Sequence, residues 1–205
     1  MEAYSQYDLS EHDPYLINNS SCLKNLLGHT NTTSLNEAER RITQQTLAQL
    51  IASPVQPSFD LKHLAEIHRR IFRHVYPFAG ELRKVEIGKG NKLFLPYALI
   101  HREAAACFSQ LMTENYLRGL DANTFGQRAG FYLGWINKIH AFREGNGRTQ
   151  RVFIDQLASQ NDYFIEWSSI SGQAMADASR SARTIDVSAR DLGRLLSMNI
   201  VKREW

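Results

Sequence analysis

Apolar residues recur at helical spacing through most of the chain. Leu61, Leu64, Ile67, Ile71 and Val75 fall three or four apart until Pro77 and Gly80 break the run. Upstream, Ser34 and Glu37 stand in capping-box spacing, which predicts a helix beginning at Ser34 and ended by Pro54 and Pro57. Cys22 to Leu27 predicts a short helix stopped by Gly28. Ala104, Phe108, Leu111 and Leu117 mark the next helix. A second capping-box pair, Thr124 and Gln127, opens one that runs through Ala129, Leu133 and Ile136 to His140. Val152, Phe153, Leu157 and Ala158 stripe the following helix, and two more are predicted around 172–181 and 188–202.

Between 82 and 95 the period changes from helical to alternating. Val85 and Ile87 alternate with charged residues, Leu93 and Leu95 alternate again, and Gly88–Lys89–Gly90–Asn91 offers turn chemistry, so a β-hairpin is predicted. The fold class is therefore mainly α with one hairpin. Residues 1–20, polar and without periodicity, read as an irregular arm, and 21–205 as a single domain.

Composition narrows the functional classes. With 43% hydrophobic and 22% charged residues the chain is an ordinary folded protein. Its net charge of +3 suits an anionic ligand, but the positive residues form no block, so no direct nucleic-acid contact is expected. No segment resembles a signal peptide or a membrane span, and Cys22 and Cys107 sit in no metal or redox spacing. A cytoplasmic protein away from the membrane is expected, with both cysteines as small core residues.

The chemistry is concentrated in one run, His140–Ala141–Phe142–Arg143–Glu144–Gly145–Asn146–Gly147–Arg148–Thr149–Gln150–Arg151. His140 closes an apolar helix and is the side chain best placed to accept a proton near neutral pH. Gly145 and Gly147 let the backbone turn tightly with N–H groups aimed at a ligand, and the helix that follows adds its positive end, which makes an anion cradle. Asn146 can donate to a phosphate oxygen or accept from a neighbouring backbone N–H. Arg148 and Arg151 are spaced to share one face of the first turns and fork onto phosphates. Glu144 would repel an anion unless a cation lay between them, which points to Mg²⁺. A helix-terminal histidine, a Gly–Asn–Gly turn or two helical arginines would each be structural if met alone. Together within twelve residues they point to nucleotidyl transfer from a Mg–nucleoside triphosphate.

The run resembles the signature of the Fic family, His–Pro–Phe–x–acidic–Gly–Asn–Gly–Arg–x–x–Arg, and departs from it only at Ala141, where proline is usual. Ile67–His68–Arg69–Arg70, leading to Tyr76–Pro77–Phe78–Ala79–Gly80 and Arg83, resembles the segment ahead of the Fic flap, and 84–95 the flap itself. The resemblance, covering Asp13 to about Met198, implies a Fic-type helical bundle with one β-hairpin flap (about 82–97) and a catalytic loop and helix start at 140–151. It implies AMP transfer from ATP to a Tyr, Thr or Ser hydroxyl of a target protein, releasing pyrophosphate. On this implication His140 deprotonates the hydroxyl and Glu144 holds Mg²⁺ against the α- and β-phosphates. Asn146 with the Gly145 and Gly147 amides cradles phosphate oxygens, Arg148 grips the distal phosphates and Arg151 secures the γ-phosphate. The flap, through Val85, Glu86, Ile87, Gly88 and Lys89, docks the target as an added strand; taken by themselves, the same residues could merely cap the core.

Members of this family are commonly inhibited by a glutamate from a Ser/Thr–x–x–x–Glu–Gly/Asn helix. The only candidate is Thr33 to Glu37, which continues with Ala38. The resemblance thus implies the toxin-like class, with a small antitoxin supplying the inhibitory glutamate and the ATPase subunits of type II topoisomerases as targets by analogy. Two rivals stay open: transfer of UMP, phosphate or phosphocholine from the same fold, and a non-catalytic nucleotide-sensing or DNA-binding regulator.

Overall fold

The computed structural model of the protein describes residues 13–89, 92–182 and 190–203. Among them seven α-helices and two small antiparallel sheets surround a main hydrophobic core, with a small second cluster in the hairpin. Helix α1 (Thr32–Ala52) leads to α2 (Leu61–Phe72), then to the hairpin strands β1 (Gly88–Lys89) and β2 (Lys92–Leu93). Helices α3 (Ile100–Thr113), α4 (Ala122–Ile139) and α5 (Asn146–Gln160) follow, then β3 (Tyr163–Ile165), α6 (Gly172–Ser181), α7 (Arg190–Met198) and β4 (Ile200–Lys202).

The predicted helices form, but several ends lie elsewhere. Helix α1 is capped by Asn31, whose side chain accepts from the Thr33 and Ser34 amides, so Ser34 is inside the helix. Helix α4 is capped likewise by Asp121 and not by Thr124, which instead donates its hydroxyl to that carboxylate. In both cases the capping side chain stands three residues before the predicted start. Cys22 to Leu27 is not helical: it folds as turns around Asn25, whose amide donates to the Leu23 and His29 carbonyls. The last predicted helix stops at Met198, and Ile200–Lys202 turns back as β4 against β3. Positions 188–189 of that prediction, and the hairpin turn at 90–91, lie outside the described residues.

Helix α4 is the central rod, and a Cβ at its Gly130 would come within 2.3 Å of the Gly193 backbone, so α7 lies directly on it. Helix α5 packs between α4 and α2, with Phe72, Phe142, Phe153 and Leu157 fully or almost fully buried there. The end of α4, the loop 140–145 and the start of α5 therefore share one rigid platform, and the hairpin folds over its edge.

Candidate active site

His140 is the residue at which α4 stops. Its backbone is left-handed (φ 47°, ψ 59°), unusual for a non-glycine residue, which turns the chain out of the helix and into the loop. The ring is buried and its orientation is set twice. Nδ1 lies 3.0 Å from the Asn137 carbonyl, which can only accept, so Nδ1 carries the proton and Nε2 is left as a base. Phe94 of the hairpin stacks on the imidazole at 3.6 Å between centroids, 17° from parallel.

Arg83, 2% exposed, fastens this arrangement. Its Nε donates to the His140 carbonyl at 2.8 Å and its Nη1 to the Val85 carbonyl at 2.8 Å, while Nη2 reaches the Leu95 and Ile139 carbonyls. One guanidinium thus caps the end of α4 and holds both limbs of the hairpin. Ile87 and Phe94 bury against each other with Val85 beside them, whereas Glu86 and Lys89 are exposed. Gly88 pairs with Leu93 across the hairpin.

The loop beyond His140 is closed from within. Asn146 Oδ1 accepts from the Phe142 amide at 2.9 Å and its Nδ2 donates to the Phe142 carbonyl at 2.7 Å. Of the two uses open to Asn146 in sequence, the structure shows the backbone one, and at 4% exposure this side chain is a loop staple. Gly145, not Gly147, makes the turn: its φ is +77°, and a Cβ there would lie 2.2 Å from Phe72 Cζ. Gly147 is in the first turn of α5 with nothing within 4 Å of the Cβ position. A backbone open to approach, at a helix end whose first amides have no intrahelical acceptor, is what an anion needs.

Glu144 Oε1 accepts from the Gly145 amide at 2.9 Å. Burial, then the neighbouring Glu39 carboxylate, push its pKa up to about 7, against the pull of Arg148, the Gly145 amide and Arg143. A hard oxygen donor beside a second carboxylate fits a divalent cation. No group of three metal-ligating side chains occurs among the described residues, so most of the shell would come from water and phosphate oxygens, as Mg²⁺ commonly arranges.

Arg148 lies with Nη2 4.0 Å from Glu144 Oε1 and Nη1 2.6 Å from Glu39 Oε1, over the face of Phe72. Arg151 is further along α5. Asp155, one turn on, is half-buried and its pKa is raised to about 7, chiefly by desolvation, with the donation from Trp167 and the charge of Arg151 opposing the rise.

Sequence reasoning overlooked four supports. Glu39 is one; its signal was the polar series Glu39, Thr43, Thr46 on the face of α1 that Leu35 and Leu50 bury. His68 lies in the apolar stripe of α2, stacks on Phe142 at 4.0 Å, and contacts the Glu144 carbonyl at 3.0 Å through Nε2 while its Nδ1 accepts from Gly80. Asp13 forms a buried pair with Arg143, Nε to Oδ2 2.7 Å, which straps residues 13–15 to the loop. Phe94 is the fourth, and the alternation around it placed it in the hairpin without marking its ring as a neighbour of His140.

Comparison with known proteins gives one answer. The Fic/DOC family profile matches residues 58–158. The chain is 37% identical to the protein adenylyltransferase VbhT of Bartonella schoenbuchensis, aligning over 94% of its own length and 45% of that protein. It is 33% identical to the "Probable protein adenylyltransferase Fic" of Escherichia coli (strain K12), over 86% of this chain and 88% of that one. Its fold superposes with a TM-score of 0.86 on the N-terminal Fic domain of a VirB-translocated effector from Bartonella quintana, solved with ADP bound, at 27% identity over 93% of this chain and 95% of that one.

Proposed function

This chain belongs to the Fic/DOC family, and on that premise we propose that it is a protein adenylyltransferase, moving AMP from Mg–ATP to a Tyr, Thr or Ser hydroxyl of a target protein. The observation that carries the proposal is the placement of His140: Nδ1 faces the Asn137 carbonyl at 3.0 Å, which makes Nε2 the basic nitrogen, beside a helix N-terminus open to phosphate.

His140 Nε2 takes the proton of the target hydroxyl. The hydroxyl oxygen bonds to the α-phosphorus, the bond from that phosphorus to the bridging oxygen breaks, and pyrophosphate leaves. The Gly145 and Gly147 amides and Arg148 receive phosphate oxygens, with Arg151 at the γ end. Asn146 acts by holding the loop that presents them. Glu144 is the residue that would hold Mg²⁺, which offsets phosphate charge. Positioning and charge stabilisation dominate such a reaction. The hairpin residues Val85, Glu86, Ile87, Gly88 and Lys89 receive the target segment, close to His140 through Phe94. The working domain is 21–205, with 1–20 as an arm whose Asp13 and Tyr15 pack back onto it.

The same reading makes the chain the toxin of a pair, acting in the cytoplasm and restrained by a small antitoxin whose glutamate approaches Arg151. Topoisomerase ATPase subunits are targets by family analogy. Two facts support external restraint: Glu37 is exposed, and Ala38 follows it. No helix among the described residues is long and apolar enough to cross a membrane.

Incubating the purified chain with lysate and α-labelled ATP tests the activity. An AMP adduct on a hydroxyl side chain is expected. Label from UTP but not ATP would reassign the donor, and no adduct from either would overturn the reading.

A further inference from the structure

Helix α1 sends a carboxylate to the phosphate end of the site, and the reaction above gives it no task. Glu39 is 0% exposed. A carboxylate removed from water is costly unless it is paired. Glu39 has two partners: the Tyr76 hydroxyl donates to Oε2, and Arg148 Nη1 stands 2.6 Å from Oε1. The second contact is close but lacks hydrogen-bond alignment. Glu39 therefore holds the guanidinium by charge without taking up the direction of an N–H. Thr43, one turn further along α1, accepts from the same Nη1 at 3.2 Å, and the Phe72 ring lies 4.6 Å from Arg148 Cζ.

We propose that Glu39 is a positioning residue for Arg148, fixing the guanidinium so that it meets the distal phosphates in the reactive geometry. The inference rests on the reading of Arg148 as a phosphate ligand. The opposite role, a brake that competes with the triphosphate for Arg148, fits the geometry less well. Glu39 is locked by burial and by Tyr76, so it has no route aside when nucleotide enters. Thr43 and Phe72 hold Arg148 in the same place as Glu39 does, so a guanidinium drawn away would lose all three contacts. A carboxylate beside phosphates also repels them, so what Glu39 contributes is alignment and not affinity.

The test is Glu39→Gln, which keeps an acceptor for Tyr76 and removes the charge. Two quantities are read: the Kd for the ATP analogue AMP-PNP with Mg²⁺, and the rate of label transfer from α-labelled ATP to lysate proteins at saturating ATP. Misplacing a reacting group by an ångström costs on the order of 10²-fold in rate. The expected result is a rate lowered ~10- to 100-fold with the Kd unchanged or tighter. A rate equal to or above wild type overturns the proposal, and a higher rate with tighter binding identifies a brake. A rate and an affinity that weaken together, with reduced thermal stability, also overturn it and leave Glu39 a structural residue only. Should Glu39→Gln fail to fold, Thr43→Val decides: it leaves every charge in place, and the same split is expected at roughly threefold, the scale of one modest hydrogen bond. An unchanged rate in that variant overturns the proposal. A wild type that binds AMP-PNP yet labels nothing rejects the adenylyltransferase reading itself, and this inference with it, an outcome distinct from any variant result.

Discussion

Arg83 Nε donates to the carbonyl of His140 at 2.8 Å, and the same guanidinium holds Val85 on one limb of the hairpin and Leu95 on the other. The base and the hairpin are thereby set by a single buried cation. Arg83→Gln strands several carbonyls and is expected to lower stability by about 3 kcal/mol, with Arg83→Lys intermediate. Urea unfolding measures this. In the folded fraction, transfer should fall more than AMP-PNP affinity, since the hairpin and His140 shift while the α5 terminus does not.

His140→Ala should abolish transfer and spare nucleotide binding. Loss of a general base costs ~10²–10⁴ in rate. A variant that binds AMP-PNP normally and turns over like wild type would refute the mechanism.

The two glycines should respond in opposite ways. Gly145→Ala meets both a left-handed backbone and Phe72, so a loss of at least about 1–3 kcal/mol is expected. Gly147→Ala points into open space within a helix, so the fold should keep its stability or gain up to ~1 kcal/mol, while nucleotide affinity drops. Thermal melts alongside AMP-PNP titrations separate the two.

Acid should weaken the fold through two buried imidazoles. Burial lowers the pKa of His63 and lowers that of His68 to about 3. The native state keeps them neutral, whereas the unfolded chain takes up protons near pH 6.5. Each imidazole therefore takes away roughly 1 kcal/mol of stability per pH unit below about 6.5 until its native pKa is reached, while Glu144 and Asp155, both raised to about 7, bind their protons first in the native state and oppose that fall. Denaturant unfolding of wild type and of His68→Gln, which keeps a donor for the Glu144 carbonyl, should differ between pH 7 and 5 by His68's share of this slope.

Expression of wild type and of Glu37→Gly should be equally toxic, because Glu37 faces solvent while Glu39, two residues on, faces Arg148. Toxicity confined to Glu37→Gly would indicate restraint from within the chain.

The legible parts of the molecule were the local ones. The stripe Leu64, Ile67, Ile71 gave α2 because a helix displays its own period, and residues 140–151 pointed to the chemistry because its parts are contiguous. What escaped depends on distant partners. β3 and β4 pair Tyr163 with Lys202, and neither segment alone carries enough alternation to declare a strand. Glu39, on exposed helices an ordinary solvated residue, becomes part of the site only when α1 meets Tyr76 and Arg148. Asn31 and Asp121 were passed over as caps because Ser34–Glu37 and Thr124–Gln127 mimic the capping-box spacing a few residues late.

The strap at Asp13 bears on how the protein can be cut down. A minimal fragment begun at Ser21, the boundary that composition suggests, would strip the counter-ion from Arg143, which is only 3% exposed, and would remove Tyr15, whose hydroxyl accepts from the Lys84 amide at the foot of the hairpin. The loop that carries the chemistry would then lose a buried 2.7 Å ion pair directly beside Glu144. Tags and fusions therefore belong ahead of Asp13, and any shortened version used to trap a target should retain it.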